Sequence, residues 1–325
     1  MDLSAYLSAQ RFLGRNLRVR TRISEGLRPF YFSLTMKKIL LLFLCILSFN
    51  ATYADVTWNL SDDGTLTISG TGDMENYLGL KGAPWCEQKN NIKTVVIENG
   101  VTSIGDNAFL ECQNMVSVTI PNSVTVIGIQ AFYHCTSLAS IKFPKFLRTI
   151  QIQAFSGCSC LTSITIPKSV QYIKEASFSH CSGLVSIEVE EGNKKYDSRN
   201  NCNAIIETSS NSLIVGCSNT IIPNSITSIG ASAFSGCTRL ASVIIPNSVT
   251  NLGDDAFAYC KGLTSITIPK SINIIGDEAF YGCINLKEAT IFTNNSLEIG
   301  TSVFGDENFA FGDWWYSSSC LLKKY

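Results

Sequence analysis

Thirteen cysteines, two histidines and two adjacent carboxylate pairs are the residues of this 325-residue chain best suited to chemistry. Seven of the cysteines, Cys112, Cys135, Cys158, Cys181, Cys237, Cys260 and Cys283, each stand three residues after a phenylalanine. His134 and His180 each immediately precede one of these thiols. A Cys–His nucleophilic pair needs a thiolate, a base within about 3 Å and a group that orients the base. Neighbouring residues on a tight turn point apart, so neither pair predicts catalysis. Zinc sites favour CxxC or His pairs; Cys158-Ser-Cys160 alone does not supply one. Asp254-Asp255 and Asp277-Glu278 recur at one spacing, and gathered carboxylates suit Ca²⁺, a hard cation with oxygen ligands. The simpler reading is a solvated acidic turn. No catalytic residue, cofactor site or metal site is expected.

The spacing explains the cysteines better than reactivity does. Phe109, Phe132, Phe155 and Phe178 step by 23 residues, as do Phe234, Phe257 and Phe280, with one step of 56 between Phe178 and Phe234. A free cysteine behaves as a small apolar residue and is among the most often buried types. The repeated thiol is therefore a packing position. One pair is different: residues 203–207 and 212–216 read as a hairpin around Ser209-Ser210, with opposed residues summing to 419. Cys202 and Cys217 then face each other, which predicts a disulfide between them.

Each 23-residue unit must be a coil that positions these side chains. In residues 163–184, Ile164 and Ile166 alternate with Ser163 and Thr165, the pattern of a short half-buried strand. Pro167 ends the strand because it has no N–H for the ladder. Val170 and Ile173 begin the return, and Phe178, Cys181 and Leu184, three apart, place an apolar stripe on a tight turn. A single coil exposes its core, so coils must stack. Stacking sets equivalent residues about 4.8 Å apart, predicting a phenylalanine spine that ends near Phe304. The same stacking aligns the outward strand positions: Ser117, Thr119, Ser140, Lys142, Ser163, Thr165, Ser186, Glu188, Ser242, Ile244, Ser265, Thr267, Glu288 and Thr290. That face is flat, neutral and rich in hydroxyls, suited to a partner's polar backbone or to a glycan.

The remaining segments bound this array. Met36-Lys37-Lys38, the apolar run 39–49 and the small residue Ala54 have the parts of a secretory signal peptide over 36–54. The apolar run is too short to span a bilayer, which needs about 20 residues. Residues 1–35 precede it and read as a misassigned start without structure. Residues 55–100 read as a β-rich N-terminal cap opening with a hairpin at Asp62-Asp63-Gly64. The coils occupy 101–304, with the irregular hairpin unit near 188–222, and 305–325 form an end cap or a truncated repeat. The leader carries eight Lys and Arg against two Asp and Glu, so the chain from Asp55 has a net charge near −7. Such a charge argues against nucleic acid or an anionic membrane as partner.

The repeated string SITIPxSVTxIGxxAFxxC resembles the BspA-type leucine-rich repeats of surface and secreted proteins from anaerobic gut and oral bacteria and some mucosal protists. The match runs from Val101 to about Phe304, roughly two thirds of the chain. The insert YDSRNNCNAIIETSSNSLIVGC and the head WNLSDDGTLTISGTGDM also look like companions of such repeats. The resemblance implies a mainly β leucine-rich repeat solenoid and adhesion to matrix proteins, microbes or epithelia, with no catalytic motif to carry over. The expected protein is secreted or at the cell surface, non-enzymatic, and binds an extracellular protein or glycan through its strand face. Two further readings stand beside it. One is a self-associating structural component of a surface assembly, and the other is a glycan-acting enzyme with paired carboxylates.

Overall fold

The computed structural model describes residues 55–77, 82–292, 296–305 and the backbone of 321–324. The expected leader (36–54), the segment before it and most of the C-terminal element lie outside the described residues. Those described belong to one compact unit, Thr52–Tyr325.

Each coil has three sides, and each side stacks on the next coil through its own backbone ladder. The strand Ser163–Ile166 buries Ile164 and Ile166 and exposes Ser163 and Thr165. It pairs in parallel with Ser186–Val189, Ser163 beside Ser186 and Thr165 beside Glu188. Beyond Pro167 the chain turns, Val170 N–H donating to Pro167 O at 3.1 Å. It then enters a second parallel sheet of two-residue strands, in which Val126 pairs with Thr149 and Thr149 with Tyr172.

The third side carries the phenylalanines, and its bonds run forward along the array. The amides of Asn107, Phe109 and Glu111 donate to the carbonyls of Ile129, Ala131 and Tyr133 at 2.9, 2.8 and 2.7 Å. Left-handed residues on this side make that possible: Asn107 and Glu111 have φ of 57° and 56°, and Gln130 and His134 follow at 52° and 55°. Amides between them close three-residue turns, as Cys112 N–H does to Phe109 O at 3.1 Å. Left-handed backbone costs about 1–2 kcal/mol per non-glycine residue, which the ladder bonds, about 1 kcal/mol each, help to offset.

Inside, the rings stack. Phe109, Phe132, Phe155 and Phe178 follow one another at centroid spacings of 5.2, 5.0 and 5.4 Å. Phe234, Phe257, Phe280 and Phe304 continue at 4.9, 5.2 and 5.3 Å. The spine begins earlier than its period implies, because Trp85 of the cap stacks on Phe109 at 5.8 Å and donates Nε1–H to Ala108 O at 2.8 Å. The cap closes the open end: strand Asp55–Leu60 pairs antiparallel with Thr65–Asp73, which then pairs with Thr94–Ile97 of the first sheet and Val101–Ile104 of the second.

Two expectations meet a different backbone. The strand pattern lapses at residues 139–144 and 241–245. Phe143 stands where neighbouring coils have Ile120 and Ile166, and its ring packs edge-on against Phe155 and Phe178 at 5.6 and 6.4 Å. In this coil Ala139 N–H lies a long 3.4 Å from Val116 O. The second difference concerns the hairpin. Ile206 opposes Leu213 and Glu207 opposes Ser212, as the sum of 419 requires, but a bulge then pairs Ile205 with Val215. Cys202, at the end of the 3₁₀ turn Arg199–Asn201, falls out of that register. The two thiols of the predicted Cys202–Cys217 disulfide are free in this structure, and Cys217 Sγ donates to Asn203 O at 3.5 Å.

Candidate binding surface

The cysteine ladder is built for packing. Cys135, Cys158 and Cys181 donate Sγ–H to the carbonyls of Phe109, Phe132 and Phe155 in the preceding coil at 3.1, 3.2 and 3.2 Å. Cys260 and Cys283 do the same to Phe234 and Phe257. Each of those carbonyls also accepts the amide of the cysteine in its own coil, so the thiol fills the second lone pair of a buried oxygen. Burial pushes the Cys112 thiol up to about 12 and drives those of Cys135, Cys158, Cys181 and Cys260 upward as well. Thiolates, the reactive form, are suppressed.

The histidines serve the same ladder. His134 stacks on Tyr133 at 4.3 Å, and its ring covers Gly157 of the next coil, where a Cβ would collide with it. His180 covers Gly236 in the same manner and comes within 5.3 Å of Tyr259. Neither imidazole is set against its neighbouring thiol, whose proton points at a backbone oxygen.

The carboxylate pairs divide by role. Asp254 Oδ1 accepts the Asp277 N–H at 2.9 Å, and Asp277 Oδ1 accepts Thr301 N–H and Oγ1–H at 2.6 and 2.9 Å. Asp106 repeats the bond to Ile129 N–H at 2.7 Å. These aspartates tie one coil to the next. Their companions Asp255 and Glu278 are shifted upward, by burial first and by neighbouring carboxylates second. Among the described residues no three or more His, Cys, Asp or Glu are placed to hold a metal ion.

What remains is the strand face. Of the fourteen predicted outward residues, Ser117, Ser186, Glu288 and Thr290 are part-buried and the other ten are exposed. Parallel pairing aligns them in rows. Ser265 lies beside Glu288 and Thr267 beside Thr290, and Ser117 stands beside Thr94 with the two hydroxyl oxygens 3.4 Å apart. The hydroxyl rows break in the middle of the array, where Ile244 is 86% exposed. Sequence periodicity missed its companion, Ile221, which is 75% exposed. Aligning Pro223-Asn224-Ser225 with Pro246-Asn247-Ser248 would have found it, since each proline follows an inward Ile and an outward Ile. Beside Ile244 an open cleft of about 480 Å³ is lined by residues including Val243, Thr267, Pro269 and Phe292. Among the described residues, no helix is long and apolar enough to cross a membrane.

Comparison with known proteins matches this geometry. A family model described as BspA type leucine rich repeat region, six copies, covers residues 85–206 and 205–311. The structure of a leucine-rich repeat protein from Eubacterium ventriosum is similar at 30% identity and a TM-score of 0.61, over 74% of this chain and 70% of that one. A leucine-rich repeat protein from Bacteroides ovatus is similar at 27% identity and a TM-score of 0.50, over 80% of this chain and 68% of that one. No curated protein sequence matches the chain.

Proposed function

We propose, from the premise that this chain belongs to the BspA type leucine-rich repeat family, that it is a non-enzymatic binding protein, secreted or held at the cell surface. Its ligand is an extracellular protein or glycan, taken on the strand face. One observation carries the reading: the outward rows of Ser163, Thr165, Ser186 and Ser265 keep a hydroxyl surface in strand register, and that surface is interrupted by the exposed Ile221 and Ile244. Extended repeat surfaces with a polar field and an apolar centre suit recognition, because apolar contact gives affinity and the surrounding polar groups give orientation. The export leader read over 36–54 supports an extracellular setting. Buried, protonated thiols and carboxylates engaged in coil-to-coil bonds favour binding over catalysis.

The test is an array of extracellular-matrix proteins and glycans probed with the chain from Asp55. A partner should be captured, and Ile244→Glu or the pair Ser163→Glu and Thr165→Glu should abolish capture while the circular dichroism is unchanged. Capture that survives both variants refutes the strand face, and capture of nothing refutes the binding reading. Ile221 and Ile244 also favour a second reading, contact between copies of this chain. Sedimentation velocity would show concentration-dependent association that Ile244→Glu removes.

A further inference from the structure

Residues 112–174 contain no Asp or Glu, yet they carry Lys142, Lys145, Arg148, Lys168 and Lys174. In a chain whose portion from Asp55 is acidic overall, nearly three coils are purely cationic. All five side chains are exposed, and none forms an ion pair among the described residues. The fold gathers them. Lys145 and Lys168 hold equivalent places after Pro144 and Pro167, at the corner between the two sheets, on coils about 4.8 Å apart. Lys142 lies in the extended segment before that corner, Arg148 opens the segment after it, and Lys174 follows the strand Tyr172–Ile173. Acids stand at the margin: Glu175 follows Lys174 in sequence, Glu188 lies beside Thr165 on the next strand, and Glu190 accepts the backbone N–H of Lys168 at 3.0 Å.

Two aromatic rings share this corner. Phe146 is 56% exposed and Tyr172 53% exposed, so neither is a core residue. Lys145 Nζ lies 5.7 Å from the Phe146 ring centre and Lys174 Nζ 5.8 Å from that of Tyr172. Each exposed ring therefore carries an ammonium over it, so apolar surface and positive charge stand together. A sugar with an anionic substituent needs that pairing, because its C–H face packs on the electron-rich ring while the charge meets the ammonium.

We infer that this corner binds a sulfated polysaccharide. Four of the five cations are lysines. An ammonium is a flexible point charge that suits the rounded sulfate group, whereas the flat two-pronged carboxylate would favour arginine. A polyanion is repelled by the acidic remainder of the chain, so contact is confined to a short stretch of the polymer. Lys142 belongs to both surfaces; Lys145, Arg148, Lys168 and Lys174 lie beyond the strand face, and the inference does not depend on that face.

Heparin oligosaccharide is the probe, titrated against the whole chain at several salt concentrations. The wild type should bind with an affinity that falls as salt rises. The pair Lys145→Glu and Lys168→Glu should weaken binding by about tenfold or more, and the milder Lys145→Gln and Lys168→Gln should do so in part. Phe146→Ala with Tyr172→Ala should weaken it about threefold while leaving the salt dependence unchanged, because the rings release no ions. The strand-face pair Ser163→Glu and Thr165→Glu should weaken heparin binding less than the corner pair, so failure of the strand-face reading is separately visible. Binding that ignores the corner variants overturns the inference. So does equal affinity for a single-stranded DNA of matched charge, or for phosphatidylserine vesicles.

Discussion

The ring spine gives the sharpest quantitative test, through Phe155→Leu set against Phe146→Leu. Phe155 is fully buried and has three ring neighbours, Phe132 at 5.0 Å, Phe178 at 5.4 Å and Phe143 at 5.6 Å. An aromatic pair contributes about 0.5–1.5 kcal/mol beyond the area it buries. Leucine keeps most of the apolar area, loses all three ring contacts and leaves a small void, so the cost is about 2–4 kcal/mol. Phe146 is exposed, and the same substitution there should change stability by about 0.5 kcal/mol or less. Urea unfolding followed by circular dichroism measures the difference. Because repeat arrays lose two-state cooperativity, hydrogen exchange should accompany it. Protection should fall most at Phe132, His134, Phe155 and Gly157, whose amides form the forward ladder on either side, and least in distant coils. A cost below about 1 kcal/mol at Phe155, or one equal to that at Phe146, refutes the spine as the source of coil-to-coil cohesion.

Three further outcomes follow from the same ladders. Gly157 has φ +78° and lies under the His134 ring, so Gly157→Ala should destabilise by about 1–3 kcal/mol, with His134→Ala in the same chain recovering only the steric part, read by melting temperature. Native alkylation should label the exposed Cys160 and spare the ladder thiols, while all of them, with Cys202 and Cys217, should label in urea without reductant; resistance of that pair in urea would show it bridged. Burial first, then the positive charge of His134 and Lys261, holds the His180 imidazole below its usual range. The folded state therefore prefers it neutral, giving stability that is complete above the unfolded value near 6.5 and lost as pH falls through the lower folded one. His180→Gln should flatten the melting temperature as pH falls below about 6.5, and an unchanged slope contradicts it.

The core was legible because each inward residue repeats. Phe, Cys and Leu recur at one step, and a ladder tolerates little else. The sheet face was legible for the same reason, through Ser163 and Thr165 alternating with Ile164 and Ile166. What the pattern did not carry lies where a single residue alters the backbone. Trp85 precedes Phe109 by 24 residues, one off the step, so its place at the head of the spine is set by the cap's geometry. Left-handed Asn107, Gln130 and Gln153 leave no mark of their own in composition, yet they turn the amides of the third side toward the next coil. Hairpin arithmetic was sound until a bulge at Ile205 moved Cys202 out of line. A bulge cannot be counted from spacing, because it adds a residue to one strand without changing the alternation around it.

The constraint that makes the core repetitive leaves the outside free, and that freedom locates function. At one outward position, successive coils carry Thr119, Lys142, Thr165 and Glu188, then Ile244, Thr267 and Thr290 beyond the insert. Their inward neighbours stay apolar: Ile164, Ile187, Ile266 and Ala289 are buried, and Val118, Ile141 and Val243 are partly buried against the core. A chain selected only for solubility would place interchangeable polar residues at every outward site, since exposed substitutions shift stability by about 0.5 kcal/mol or less. Cations free of acids instead collect within residues 142–174, the two most exposed isoleucines are at 221 and 244, and acid pairs recur at 254–255 and 277–278, each cluster on neighbouring coils. Stacking turns proximity in coil number into proximity in space, so each cluster is a contiguous patch. Transferring the outward residues of one coil to another should therefore move its binding property with them and leave the ladders intact. Loss of both binding and fold would mean that the outer residues are structural after all.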